Sequence, residues 1–182
     1  NTEGAAARVL DGAVELGFVE GVIDEPALAH WTVANDRMVL VSDRAADTID
    51  EDWIRAARWI VREQGSGTRS SMERFFAERG FVPKTANVMS SNETIKQAVM
   101  AGMGISFLSL HTMGLELRSG LMHIVEVDGT PIMRTWNLVR LLSKLLSPAA
   151  EAFRYYLIEE AEKHLREHDA PLLRQVPVTP GS

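Results

Sequence analysis

The 182-residue sequence predicts an α/β fold made of two lobes joined by two crossing strands. Three observations predict it. Strand-like and helix-like patterns alternate along the whole chain, as they do where helices cover mostly parallel sheets. Two long extended stretches, near residues 30–42 and 132–142, bracket a self-contained α/β block, so the chain leaves one lobe and later returns to it. Between them, A-R-W-I-V-R-E-Q-G-S-G-T-R at 57–69 reads as a buried strand feeding a helix through a glycine-spaced turn. The expected division places residues 1–36 and 143–168 in the first lobe and 43–130 in the second. Residues 37–42 and 131–142 cross between them, and 169–182, with Pro171, Pro177 and Pro180, form a disordered tail.

The elements follow in order. Residues 2–10 form a short Ala-rich helix capped by Thr2 and closed at Asp11-Gly12. V-E-L-G-F-V at 14–19 is a strand ended by Glu20-Gly21. Past Pro26 comes the extended stretch 28–42, most apolar at 38–41. Residues 50–57 form a helix with Trp53 and Ile54 inward, leading to the strand of Trp59, Ile60 and Val61. From Thr68 a helix presents Met72, Phe75 and Phe76 until Gly80-Phe81-Val82-Pro83 closes it. Residues 87–89 are a short strand, and Ser90-Ser91-Asn92 are residues of the helix-capping type. The following helix, 93–101, carries an Ile95, Ala98, Val99, Gly102 stripe. Residues 105–108 form another apolar strand, and Ser109 caps a helix ending at 116–117. Residues 121–127 are a strand, Asp128-Gly129 a turn, and 132–142 the second extended stretch. Ser147-Pro148 starts the last helix, whose apolar side is Ala149, Phe153, Tyr156, Leu157 and Ala161.

Composition narrows the function. The chain is 46% hydrophobic and 24% charged, enough for one good core or two small ones. A formal net charge of −6 opposes a general nucleic-acid-coating role. The absence of cysteine excludes disulfides, Cys-ligated zinc, iron–sulfur clusters and thiol catalysis. No apolar run approaches the ~18 residues of a membrane span and no signal peptide opens the chain, so the expected location is cytoplasmic, with no membrane partner.

The glycine turn carries the chemistry. A strand entering a helix through Gly65 and Gly67 leaves backbone N–H groups aimed at one spot. With the helix dipole, the Ser66 and Thr68 hydroxyls and the Arg69 guanidinium, they suit a small anion. Taken alone, G-S-G-T-R is better read as a helix cap by Ser66 or Thr68 with Arg69 in water. Ser90, Ser91 and Asn92 sit at a second strand-to-helix junction of the same lobe, and in a two-lobed α/β fold ligands bind in the cleft at such junctions.

The pairing of R-E-x-G-S-G-T-R at 62–69 with S-S-N-E-T-I-K-Q-A-V-M-A-G-M-G-I-S-F-L-S at 90–109 resembles the effector-binding domain of LysR-type transcriptional regulators. V-L-D-G-A-V-E-L-G-F-V-E-G at 9–21 supports the resemblance. S-L-H-T at 109–112, P-I-x-R-x-W at 131–136 and S-P-A-A-x-A-F at 147–153 are similar to the CbbR-type branch, which regulates carbon-fixation operons. The resemblance implies a periplasmic-binding-protein-like (type II) fold, an activator's sensing domain with no catalysis, and no bound cofactor. It implies a small anionic effector in the cleft: a phosphorylated sugar, phosphoenolpyruvate or a nicotinamide nucleotide phosphate such as NADPH. Gly65, Ser66, Gly67 and Thr68 match the family's anion-contacting turn, Ser90, Ser91 and Asn92 its second cleft turn, and Glu20-Gly21 the cleft end of the first lobe.

Family members also carry a DNA-binding helix-turn-helix, a linker helix, and a strand, helix and strand before the position of Asn1. The chain is therefore expected to be a fragment that does not bind DNA by itself, with DNA contacts, and a homo-oligomer (dimer or tetramer), belonging to the intact protein.

Other chemistry is weaker. The G-S-G-T-R turn has no lysine before its threonine, unlike a nucleotide hydrolase's phosphate loop, and no G-x-S-x-G elbow occurs. His164 and His168, four apart, read as an exposed helix face rather than a metal pair. His30-Trp31 reads as packing, His111 and His123 as loop or surface residues, and Met89, Met100, Met103, Met113 and Met122 as core filling. The competing functional class is a solute-binding receptor or an enzyme on the same two-lobed fold.

Overall fold

The computed structural model describes residues 1–21, 23–45, 50–83 and 86–173. Helix α1 (Thr2–Leu10) is capped one residue earlier than expected: Oδ1 of Asn1 accepts from the Gly4 N–H at 2.9 Å. Strand β1 (Gly17–Glu20) follows. Next comes β2 (Leu28–Ser42), a single strand of 15 residues. Helix α2 (Glu51–Ala56) is capped by Asp50, β3 (Trp59–Arg62) leads into α3 (Gly67–Glu78), and β4 (Ala86–Met89) into α4 (Asn92–Met100). Strand β5 (Ser106–Ser109) is followed by a 3-10 turn, Leu110–Thr112, and the short α5 (Gly114–Arg118). One continuous helix was expected there; Ser109 does not cap it, because its hydroxyl serves another partner. The chain ends with β6 (His123–Val125), β7 (Ile132–Leu141) and α6 (Pro148–Leu173).

The two extended stretches are the spine. Strand β2 pairs with β7 from Leu28 to Met38, then with β5 over Met38–Val41 and with β6 over Leu40–Ser42. One strand thus serves both ends of the molecule. Strand β1 pairs with β7 on its other side. All these pairings are antiparallel, which corrects the expectation of mostly parallel sheets. Helix and strand do alternate, but β2 and β7 run in opposite senses, and β1, β5 and β6 each run against the long strand they pair with. Parallel pairing is kept between β3 and β4 and at the Trp59–Ile105 bridge that joins the two sheets.

Period-2 alternation on β2 feeds two cores. Met38 and Leu40 join Trp59, Met72, Phe75, Phe76 and Phe107 on one face. Val39 and Val41 join Ile60, Ile95, Leu108 and Met113 on the other. Strands buried on both faces read as continuous apolar runs, as 38–41 does. The other end holds a smaller cluster of Ala6, Val9, Val19, Leu28 and Val139.

Helix α6 is tied to that end by the Ser147 N–H and hydroxyl, which donate to the Glu15 carboxylate at 2.7 and 2.8 Å. Arg154 lies 4.7 Å from the Trp31 ring centre. The helix also touches the Leu110–Thr112 turn and α5, so it leans both on the body around the Ala6–Val139 cluster and on the body around the two larger cores. It continues to Leu173: residues 169–173 are helical, against the expected tail, and residues 174–182 lie outside the described residues. Met103 is a surface residue, not core filling, whereas Met113 and Met122 are buried.

Candidate anion-binding site

The glycine turn lies where the two bodies meet. The Gly65 carbonyl accepts from the Glu3 N–H at 3.1 Å, and a Cβ on Gly65, whose φ is +80°, would sit 2.5 Å from a Glu3 carboxylate oxygen. A Cβ on Gly67 would collide with the Glu20 carbonyl and lie 3.0 Å from Thr2 Oγ1. Missing side chains are therefore what let the turn press against α1 and the end of β1. Ser66 holds the N-cap position of α3 without a side-chain capping bond, and its carbonyl accepts from both the N–H and the hydroxyl of Ser70. Thr68 is buried in the first turn of α3. Its hydroxyl donates to Glu20 Oε2 at 3.0 Å and accepts from Arg134 Nη1 at 3.1 Å.

Arg134 is the residue that sequence reasoning missed. It faces Asp36 across β2 and β7 as a register partner. Its Nε donates to Asp36 Oδ2 at 2.6 Å, and its Nη1 to Glu20 Oε2 at 2.9 Å. Its side chain is 2% exposed, Asp36 is fully buried, and Nη2 meets no hydrogen-bond acceptor among the described residues. Ser109 donates to Asp36 Oδ1 at 2.5 Å, and His111 Nε2 lies 3.6 Å from the same oxygen. One guanidinium thus joins β1, β2, β7 and α3. The signal was available: Asp36 and Arg134 are charges inside otherwise pairing-prone extended stretches, and such residues are buried only with a partner.

The remaining site candidates lie to one side. Arg69 is engaged elsewhere: its Nε donates to Glu73 Oε1 at 2.8 Å and its Nη1 to the Arg62 carbonyl at 3.1 Å. Ser91 caps α4 by accepting from the Thr94 N–H at 3.1 Å, and Ser90 is exposed. Asn92 Oδ1 accepts from Arg62 Nη1 at 2.7 Å. Arg62 also grips Glu63, which Asn1 reaches from α1. The Arg62 hydrogen bond, against opposing desolvation, holds the Glu63 carboxyl down to about 2 from an ordinary 4.5, with backbone, Asn1 and Coulombic contributions adding to it. The two strand-to-helix junctions are therefore neighbours linked through Arg62 and Glu63.

A cavity of about 680 Å3 opens beside the turn, lined in part by Thr2, Glu20, Gly65, Gly67, Ser70 and Arg134. Ser90, Ser91 and Asn92 do not line it. Its charged lining also includes Glu3, Asp24, Glu25 and Arg74, so carboxylates outnumber guanidiniums around it. Among the described residues no three His, Asp or Glu side chains form a metal-binding group, and no helix is long and apolar enough to cross a membrane.

The LysR substrate binding domain profile matches residues 1–162. The chain is 42% identical over 173 residues to the transcriptional regulator CfxR of Cupriavidus necator, covering 91% of this chain and 54% of that protein. It is 41% identical to CbbR of Rhodospirillum rubrum, covering 86% of this chain and 53% of the relative. The chain thus spans about half the length of these curated relatives. Among solved structures it is similar to the CcmR regulatory domain of Synechocystis in complex with 2-PG. That likeness has a TM-score of 0.76 and 30% identity, covering 87% of this chain and 79% of the other. The effector binding domain of QuiR, solved with shikimate, gives a TM-score of 0.76 at 20% identity over 90% of this chain and 79% of the other, a likeness of fold.

Proposed function

The chain belongs to the LysR substrate-binding-domain family, and from that premise we propose that it senses a small anionic metabolite at the junction of its two bodies. Its relatives are transcriptional regulators and not enzymes, and the fold is the periplasmic-binding-protein-like (type II) fold of LysR effector domains. The observation that carries the proposal is the meeting of the Thr68 hydroxyl with the Arg134 guanidinium at the N-terminus of α3, where both bodies converge. Charge-assisted donors at a helix N-terminus are suited to carboxylate or phosphate oxygens.

In this reading Gly65, Ser66, Gly67 and Thr68 contact the anion, Arg134 faces it from the other side, Glu20 borders the position, and Ser90, Ser91 and Asn92 form the outer wall of the neighbouring turn. Similarity to a regulatory domain solved with 2-PG makes 2-phosphoglycolate the first candidate, beside phosphorylated sugars, phosphoenolpyruvate and NADPH. A ligand bridging both bodies favours the arrangement it binds better, and that difference in affinity is all it can contribute. Strands β2 and β7, which run through both bodies, carry the bias outward as a hinge.

The relatives are named as HTH-type regulators, and the match covers 54% and 53% of their lengths. We assign DNA reading, activation of carbon-fixation operons, cytoplasmic location and homo-oligomerisation to the whole regulator. Calorimetric titration of the chain with 2-phosphoglycolate, phosphoenolpyruvate and NADPH tests the site. The expected result is saturable binding of at least one of them that weakens in Thr68→Val. Binding of none, or binding indifferent to Thr68, refutes it.

A further inference from the structure

The charge of the site opposes the ligand it is built to take. Arg134 supplies one positive charge, and two carboxylates already share it: Asp36 on Nε and Glu20 on Nη1. The cavity beside it adds Glu3, Asp24 and Glu25 against Arg74. An incoming anion would meet a negative surrounding, and like charges at contact distance disfavour binding strongly in a partly desolvated site.

The two carboxylates on Arg134 are not equivalent. Asp36 is fully buried, held by Ser109 and Arg134 on a central strand. Glu20 is the last residue of β1, its side chain is 27% exposed, and it lines the cavity. It is followed by Gly21, at φ +79° with open space around the Cβ position. Glu20 therefore has somewhere to go, and Asp36 does not. Through the single oxygen Oε2, Glu20 uses both donors that an effector anion would need, Thr68 Oγ1 and Arg134 Nη1.

We propose that Glu20 is a displaceable internal anion, whose carboxylate holds the effector's position on Thr68 and Arg134 and must swing into the cavity before an external anion can bind. This deepens the proposed function and rests on it. The effector then needs an anionic group able to replace one oxygen bridging a hydroxyl and a guanidinium, so phosphate or carboxylate serves, while a neutral sugar does not displace Glu20. Asp36 stays as the fixed counter-ion that keeps Arg134 oriented. Glu20 is thereby a specificity residue that sets the threshold concentration for sensing.

Titration of the 182-residue chain with inorganic phosphate and with 2-phosphoglycolate tests the idea on wild type, Glu20→Gln and Glu20→Ala, each checked for native melting. The expected result is a gain in anion affinity of roughly tenfold or more in both variants, the scale of one charge-assisted interaction removed from competition. Binding by wild type with unchanged or weaker binding by the variants overturns the proposal, making Glu20 a direct ligand contact or a bystander, and leaves the sensing function standing. Binding only by the variants shows Glu20 occupying the position without yielding it, which overturns both its displacement and sensing by the wild-type chain. Binding by none of the three overturns the sensing function and this proposal with it.

Discussion

Asp36 and Arg134 stand opposite each other on the two crossing strands, and Nε of the arginine donates to Oδ2 of the aspartate at 2.6 Å with both side chains buried. Through this pair the first body (Glu20), the second body (Thr68, Ser109) and both long strands share one polar cluster. Buried pairs of this kind add little stability over apolar packing, but removing one partner strands the other.

Arg134→Met is therefore expected to lower unfolding free energy by about 3–5 kcal/mol, because Asp36 is left charged and buried. Adding Asp36→Leu to it returns part of the loss. Urea unfolding of the wild type, the single and the double variant checks both statements; a single variant as stable as wild type would show that the pair is not what orders the junction.

Thr68→Val removes a hydroxyl that bonds two charged groups but makes no helix cap, since Ser66 holds the cap position. Hydrogen bonds to charged groups contribute about 1.5–3 kcal/mol. The expected outcome is a loss of that order in anion affinity, with a smaller drop in melting. Melting that falls while affinity is unchanged would put the hydroxyl's role in stability alone.

Gly67→Ala is expected to separate the bodies. The added Cβ collides with the Glu20 carbonyl, which belongs to a strand and cannot give way as a side-chain tip would. Amide hydrogen exchange around residues 2–4 and 65–70 should accelerate in the variant. Unchanged protection would show that the turn does not need its close approach.

Glu63 makes stability depend on acid. Its carboxyl sits at about 2 in the folded chain against 4.5 ordinarily, so its contribution is fully present above 4.5 and fades as pH falls toward 2. Unfolding free energy should decline less steeply across that window in Glu63→Gln than in wild type. Parallel slopes would remove Glu63 from the acid response.

Local signals made most of the fold legible. Ser91 is a cap where capping residues are expected, and the uninterrupted run 28–42 is one strand. Strand direction was not legible, because alternation of elements says nothing about which strand lies beside which. Arg69 looked like part of the anion turn because it is adjacent in sequence, yet its i,i+4 partner Glu73 and the Arg62 carbonyl draw it away. Arg134 lay hidden for the opposite reason: its partners Asp36, Glu20 and Thr68 are 98, 114 and 66 residues distant. Register on the paired β2 and β7 brings Asp36 opposite it, while Glu20 arrives through the pairing of β1 with β7 and Thr68 through the first turn of α3. Ser109 was assigned to a helix cap by its local context, when its hydroxyl is committed to Asp36.

The most direct measurement is a two-dimensional amide NMR titration of the chain with 2-phosphoglycolate. The sensing site predicts saturable shifts concentrated at Gly65, Ser66, Gly67 and Thr68, joined by the Arg134 side-chain Nε–H and by Glu20 as its carboxylate moves. Saturable shifts confined to another surface, such as the second cavity around Trp53, Arg58 and Met103, would contradict it.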